Sequence, residues 1–319
     1  MAALPRCVIV GPGRTRNGLG PFFARYLVEA GVEVCAGVGR DADRTQRACA
    51  ELAQITGSRV APYIDLAAAL SDTGAAIAVI ASPSAAHAEH LEIAARSAVD
   101  VLCEKPLVAA GLEGAARRVD ALADSFLAAG HLLVENCQWP FVLPAFEELA
   151  RRSPGAPERV AMRLSPSGTG RAMLEDSASH LVSVLQELMP SAGGLRLTEI
   201  AVDAPAVGVA DVRCIAAHAA GRSDVRFELR QVRAQPRPAW LEIDGFRADR
   251  VIDSSTYAMR LRAQDGREVP LQDPLRALVY GFVADHRARD LDRLRTHAER
   301  TRARARLYAD LVAAWPASR

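Results

Sequence analysis

No run of about twenty uninterrupted apolar residues occurs in the 319-residue chain, so no transmembrane helix is expected. The start, Met1-Ala2-Ala3-Leu4-Pro5-Arg6, lacks the charged and then apolar stretches of a secretory signal. Cysteines are few and scattered: Cys7, Cys35, Cys49, Cys103, Cys137 and Cys214 form no Cys-x-x-Cys pair. Neither a zinc site nor a redox pair is expected from them, and buried, reduced thiols in a cytoplasmic protein are the simplest reading. No other metal site is expected, since His87 and His90 stand three apart without a clear third and fourth ligand. Charge of one sign is also lacking. Lys plus Arg (39) nearly balances Asp plus Glu (38), which argues against a nucleic-acid or membrane-surface partner. Lysine is scarce beside arginine and alanine is abundant, a bias that reads as a GC-rich gene before it reads as function.

What is present is the composition of a globular protein, 50% hydrophobic and 24% charged, and long enough for two domains with their own cores. Cys7 to Val10 is a short apolar run ending in Gly11-Pro12-Gly13, as a buried parallel strand would. Helical spacing follows over 22–30, stopped by Gly31, and then strand and helix patterns alternate: strands over 32–38, 75–81, 99–103 and 131–137, helices over 43–52, 66–70, 85–98 and 112–128. That alternation predicts right-handed crossovers and a parallel sheet covered on both faces. Beyond a helix near 144–152 the pattern changes. Extended stretches over 159–164, 195–202, 212–219, 225–232, 240–243 and 257–263 predict an open, mostly antiparallel sheet, with one strong helix over 172–188. The tail, 274–315, is helical and Arg-rich; a solvated helix face is the plainer reading and an interaction arm the other. The expected fold is thus α/β: a doubly wound Rossmann domain over 1–139 and an α+β domain over 140–319, whose C-terminal helix has the option of packing back on the first domain.

A strand running into a Gly-rich turn and then a helix is a phosphate site, because the backbone can approach the pyrophosphate and the helix N-terminus is electropositive. The loop reads Gly11-Pro12-Gly13-Arg14-Thr15-Arg16-Asn17-Gly18-Leu19-Gly20. Arg16 stands where the third glycine of G-x-G-x-x-G usually falls, so a longer loop is expected. Gly11, Gly13, Arg14, Thr15 and Arg16 are the cofactor candidates here. At the end of the second strand, an Asp or Glu would bond the ribose hydroxyls of NAD and repel the 2′-phosphate of NADP. The simplest alignment places Gly39 there, with Arg40 next, a planar cation suited to phosphate or adenine. NADP (as NADPH) is therefore expected, with NAD the alternative if Asp41 takes the ribose position instead.

Three further segments carry chemistry. Ser82-Pro83-Ser84-Ala85-Ala86-His87-Ala88-Glu89-His90 joins a strand to a helix, Cys103-Glu104-Lys105-Pro106-Leu107 ends the next strand, and Glu175-Asp176-Ser177-Ala178-Ser179-His180 lies on the strong helix. Lys105 falls at the rim where open α/β sheets bind ligands, and a cation there can polarise a carbonyl or imine. Asp176 and His180, four apart, share one helix face, where the carboxylate can orient a histidine that moves a proton near neutral pH. The plain alternatives are a surface lysine in a proline-bounded turn and a helix ion pair.

In this order and spacing the segments resemble the Gfo/Idh/MocA family, the glucose–fructose oxidoreductase and inositol dehydrogenase type, from Val8 to the helix over 274–288. The resemblance implies catalytic roles for Lys105, Asp176 and His180, with the histidine as acid or base on the substrate oxygen. It implies a nicotinamide-side segment at Ser82, Pro83 and His87, a cofactor-contacting acid at Glu104, and often a cis lysine–proline bond. His87 as a capping or core histidine stands equally beside that. The sugar enzymes usually carry a polar, Arg-containing segment after the Rossmann half, whereas this chain has Glu135-Asn136-Cys137-Gln138-Trp139-Pro140-Phe141-Val142. Trp139 and Phe141 would form an aromatic wall for a flatter substrate, or else pack between domains. Arg171 is a candidate for a substrate carboxylate or phosphate. The leading expectation is an NADP-dependent oxidoreductase acting on a small-molecule C=O or CH–OH centre, a keto-sugar or cyclitol-like intermediate first and an imine or other carbonyl second. A nucleotide-sensing regulator that lost the chemistry is the reading from another class. An uncovered face of the C-terminal sheet predicts a homodimer or homotetramer.

Overall fold

The computed structural model describes residues 3–13, 18–110, 112–153, 155–189 and 194–316. By internal contacts the chain divides into two units, one reaching Asn136 and including Leu275–Arg302, the other comprising Cys137–Pro274 and the chain from Ala303 onward.

In the first unit, strands β1 (Arg6–Val10), β2 (Glu33–Val38), β3 (Ala61–Tyr63), β4 (Ile77–Ile80), β5 (Asp100–Cys103) and β6 (Leu133–Glu135) are all parallel. Their order is β3-β2-β1-β4-β5-β6, the doubly wound arrangement. Helices α1 (Gly20–Glu29), α2 (Ala42–Thr56), α3 (Leu66–Thr73), α4 (His87–Arg96) and α5 (Ala115–Ala128) make the crossovers. The strands read as near-continuous buried apolar runs, Ile77 to Ile80 being fully enclosed, as a sheet covered on both faces requires. Asp41 and Asp65 cap α2 and α3 by accepting the Arg44 and Ala68 amides at 2.8 and 2.7 Å. Gly57 and Gly74 end the same helices in the left-handed conformation. β3 has only three residues, too short for alternation to betray it.

The helical tail is two helices, α8 (Pro274–Ala288) and α9 (Leu291–Ala313). Arg289 at φ 49° breaks the run, and the Asp290 carboxylate accepts the amides of Asp292 and Arg293 at the next start. Leu275, Leu278, Val279, Phe282 and Val283 of α8 join one core with Ile9, Leu27 and Val34. Each such side chain contributes about 1.5–3 kcal/mol of burial.

The second unit holds an eight-stranded sheet ordered β14-β13-β12-β11-β7-β10-β9-β8. Its strands are β7 (Arg159–Leu164), β8 (Arg196–Ala206), β9 (Val209–His218), β10 (Gly221–Arg230), β11 (Ala239–Ile243), β12 (Phe246–Ile252), β13 (Met259–Ala263) and β14 (Glu268–Leu271). Only β7 and β10 pair in parallel. β12 and β14 are absent from the expected strands. Asp244-Gly245, at φ 48° and 81°, makes the tight hairpin into β12, and Asp-Gly between two apolar runs is the signal that would have revealed it. α6 (Leu143–Ala150) and α7 (Arg171–Leu188) belong to this unit. One side of the central strands, with Met162, Phe227, Val212 and Leu241, is buried. The register puts ion pairs on the other side: Arg226–Glu228 at 2.7 Å, Arg230–Asp211 and Arg247–Asp249 at 2.8 Å, and Arg260–Glu268 at 2.9 Å. Among the described residues no helix is long and apolar enough to cross a membrane.

Candidate active site

The parallel strands of the first unit all end at one edge, so the residues that follow them are neighbours there. Backbone bonds continue the ladder past the strands: Gly11 N–H to Val38, Ala81 to Val10, Glu104 to Ile80, and Asn136 to Cys103. The edge therefore carries Gly11, Gly39, Ser82, Glu104 and Asn136, and it includes the switch point between β1 and β4 where doubly wound sheets bind ligands.

The turn after β1 has the space that a dinucleotide needs. Gly11 sits at φ +78°, and a Cβ there would lie 2.8 Å from the backbone of Ala81 and Ser82. A Cβ on Gly20 would lie 2.4 Å from the Pro12 carbonyl oxygen, which makes Gly20, the first residue of α1, the glycine that lets helix and loop approach. Sequence spacing alone had left the third glycine unassigned. Gly13 is less constrained, its Cβ position meeting only Ala48 at 3.6 Å. Arg14, Thr15 and Arg16 lie outside the described residues. The cradle thus fits a nicotinamide dinucleotide, with the backbone around Gly11 and Gly20 to hold the pyrophosphate.

At the end of β2, a side chain on Gly39 would collide with Thr45 Oγ1 at 2.3 Å, so no acidic group fits there without rearrangement. Asp41 spends a carboxylate oxygen on the N-cap of α2. Arg40 is exposed.

Lys105 is the single lysine of the chain, although Lys and Arg together number 39. Wherever else a cation stands, arginine serves, so composition singles out the ammonium at this one position. Lys105 is half-buried in the turn after β5, and its bond to Pro106 is cis. Glu104 accepts from the Asn136 side-chain amide, a partner that strand patterning did not reveal. Ser82 Oγ lies 3.1 Å from His90 Nδ1, and Pro83 is exposed.

His87 is 1% exposed, so it is a core histidine. Its Nδ1 lies 2.8 Å from the Pro106 carbonyl and its Nε2 lies 2.7 Å from the Ser82 carbonyl. Burial lowers its pKa, while those two carbonyls and the charge of Glu135 pull the other way. The ring thereby ties the turn after β4 to the turn after β5.

The remaining candidates belong to the second unit. Asp176 and His180 lie four apart on α7, Asp176 exposed and His180 half-buried. The loop before α7 is pinned at several points: Ser165 Oγ donates to the Pro238 carbonyl at 2.6 Å, and Gln231 donates to the Ser167 carbonyl at 2.9 Å. Gly170, at φ 62°, then turns the chain into the helix. Arg171 pairs with Glu175 at 2.9 Å, one turn on, which already engages its guanidinium. Trp139 is 3% exposed with the Arg250 guanidinium 5.1 Å from its ring centre, whereas Phe141 is 38% exposed. Burial pushes the pKa of Arg250 down.

Residues 5–131 match the GFO_IDH_MocA model, described as an oxidoreductase family with an NAD-binding Rossmann fold. No curated protein matches the sequence. Among solved structures, the chain is similar to UDP-N-acetylglucosamine 3-dehydrogenase GnnA from Acidithiobacillus ferrooxidans (TM-score 0.70, 18% identity, covering 98% of this chain and 97% of that one). It is also similar to KijD10, a 3-ketoreductase from Actinomadura kijaniata in complex with NADP (TM-score 0.68, 18% identity, 96% of each chain). A third similar structure is GenD2 from gentamicin A biosynthesis in complex with NAD (TM-score 0.64, 20% identity, 98% and 93%). At such identities these likenesses speak to the fold. With the strand order, the glycine cradle and the family match in agreement, residues 5–131 belong to the Gfo/Idh/MocA family, and the protein is an oxidoreductase with an NAD-binding Rossmann fold.

Proposed function

We propose that the protein is an NADP-dependent oxidoreductase that reduces the keto group of a sugar or cyclitol-like biosynthetic intermediate. The observation that carries this reading is the chain's only lysine, held in the turn after β5 at the carboxyl edge of the sheet. The cofactor, when bound, supplies the hydride. Lys105 polarises the substrate oxygen, His180 gives or takes its proton, and Asp176 orients the histidine. Glu104, fixed by Asn136, and Ser82, Pro83 and Lys105 serve the nicotinamide end. Gly11, Gly13, Gly20 and the Arg14–Arg16 stretch serve the pyrophosphate. Arg40 meets the 2′-phosphate, a preference supported by the closed space at Gly39 and the capping duty of Asp41. Arg171 contributes to substrate binding if it leaves Glu175. Two structures of the same fold are by name a sugar-nucleotide 3-dehydrogenase and a 3-ketoreductase, in keeping with a keto-sugar.

An imine reductase with Trp139 as its aromatic wall is less favoured, because Trp139 is 3% exposed and packed against Arg250. The uncovered, ion-paired side of the eight-stranded sheet is proposed to pair with a second copy, and a monomer in sedimentation at micromolar concentration contradicts that.

The test is NADPH consumption against keto-sugars, cyclic imines and simple ketones, with Lys105→Ala and His180→Ala alongside. Turnover of keto-sugars, reduced about 10²–10⁴-fold in each variant, supports the reading. Turnover confined to imines sinks it. Cofactor binding with no turnover anywhere returns the regulator.

A further inference from the structure

His87 faces a chemical constraint that its burial sharpens. A carbonyl oxygen only accepts, yet both ring nitrogens sit within 2.8 Å of one, so both bonds exist together only if both nitrogens carry a proton. With one proton the ring holds one carbonyl and turns a bare lone pair toward the other. The two carbonyls are not equivalent in consequence: Ser82 ends the β4 turn, whereas Pro106 directly follows Lys105.

We propose that His87 is a positioning residue for Lys105, and that the turn carrying the lysine is fully held only when the His87 ring bears both protons. This rests on Lys105 being the working group proposed above only as far as turnover is concerned; the coupling of the ring to the lysine turn does not. The charged and titratable groups around the ring are Lys105 on the same turn, which opposes the second proton, Glu135 on β6, which favours it, and His90 on α4. Burial sets the ring's midpoint below the ordinary 6.5, so the second proton arrives as pH falls from neutrality into the acid side. At higher pH the ring then holds one of the two turns, and at lower pH it holds both, tying the Lys105 turn to the turn after β4.

The single lysine makes the experiment direct. Protein carrying ¹⁵N-lysine and ¹⁵N-histidine gives one lysine side-chain signal, and His87→Gln identifies the His87 ring by its disappearance. Both signals are followed from pH 5 to 8 in the full-length protein without substrate. The expected result is a His87 ring passing from one proton to two with a midpoint below 6.5, and a Lys105 signal that shifts with the same midpoint. In His87→Gln, which offers a single donor group, the lysine shift disappears and NADPH binding at pH 6 weakens about tenfold, the worth of one hydrogen bond. A Lys105 signal indifferent to the ring, or a ring with one proton throughout, overturns the proposal. If His87→Gln does not fold, His87→Asn takes its place for the assignment and the comparison. Coupled signals in a protein without keto-sugar turnover would refute the function proposed above and leave this inference standing.

Discussion

Asp100 offers the sharpest test of how the first unit is held together. It opens β5, at the opposite end of that strand from Glu104, and is fully enclosed. Its Oδ2 accepts from His286 of α8 at 2.6 Å, and its Oδ1 accepts from His131 at 2.9 Å, the Leu132 amide at 3.0 Å and Arg289 at 3.2 Å. Burial by itself would raise the pKa of this carboxyl, but the bonds from His286, Leu132 and His131 and the charge of Arg289 outweigh it and hold the group below 3.8. Asp100→Asn keeps the shape, removes the charge and turns an N–H₂ donor toward donors. Breaking a buried, multiply bonded charge costs about 3–5 kcal/mol, and the isostere, which keeps some bonds, sits nearer 2–3 kcal/mol. For a unit of this size the melting temperature should fall roughly 2–4 °C per kcal/mol, so about 4–12 °C for the variant. The sign with pH follows from the lowered pKa. The stabilisation is complete above the unfolded carboxyl value of about 3.9 and disappears as pH falls through the lower folded value. Thermal melts of both proteins at neutral pH and under progressively acid conditions read this out, and the gap should close only at the acid end. A neutral-pH difference under about 1 °C, or a gap that closes already between pH 7 and 5, would refute the reasoning. Turnover per folded molecule at low temperature should be unchanged, since the cluster lies away from the carboxyl edge.

Gly20→Ala places a Cβ on the Pro12 carbonyl oxygen and should weaken NADPH binding at least about tenfold in calorimetry while the fold survives; unchanged affinity would remove Gly20 from the cradle. Arg40→Ser should cost NADPH about 10–100-fold in affinity, the worth of a charge-assisted bond, and leave NADH almost untouched; an equal loss for both dismisses the 2′-phosphate contact. An amine-selective reagent should add one side-chain label per chain, at Lys105, and NADPH should slow that labelling; no protection would separate the lysine from the cofactor site. Asn136→Ala removes one hydrogen bond from the Glu104 carboxylate and should raise the cofactor KM more than it lowers kcat, whereas a purely catalytic loss would contradict a role in holding Glu104.

Much of the first unit was legible because its signals are local. A parallel strand buried on both faces is an apolar run, and Ile77 to Ile80 or Val101 to Cys103 stands out in any reading. The glycine turn after β1 and the Glu104-Lys105-Pro106 element announce themselves in a few consecutive residues. β7 was legible to the residue and α7 to within one of its ends, for the same reason. β12 and β14 were missed because β14 has only four residues and the alternation of β12 fails at Arg250, which takes the buried side opposite Leu261 while Val251 takes the ion-paired side.

By itself, then, the sequence determined the alternation of strand and helix, the position of the phosphate turn and the identity of the chemical groups, since each depends on residues close together in the chain. It also held one global fact that needs no coordinates, the solitary lysine. The tertiary structure decided what depends on distant residues. Gly20 rather than position 16 supplies the close helix approach because the Pro12 carbonyl folds over it. Asp41 is occupied as a cap, and Asp100 gathers His131, His286 and Arg289 from segments up to 189 residues away. His87 became a bridge between two turns only when packing brought the Ser82 and Pro106 carbonyls to its two nitrogens, a convergence of three segments that no local pattern encodes.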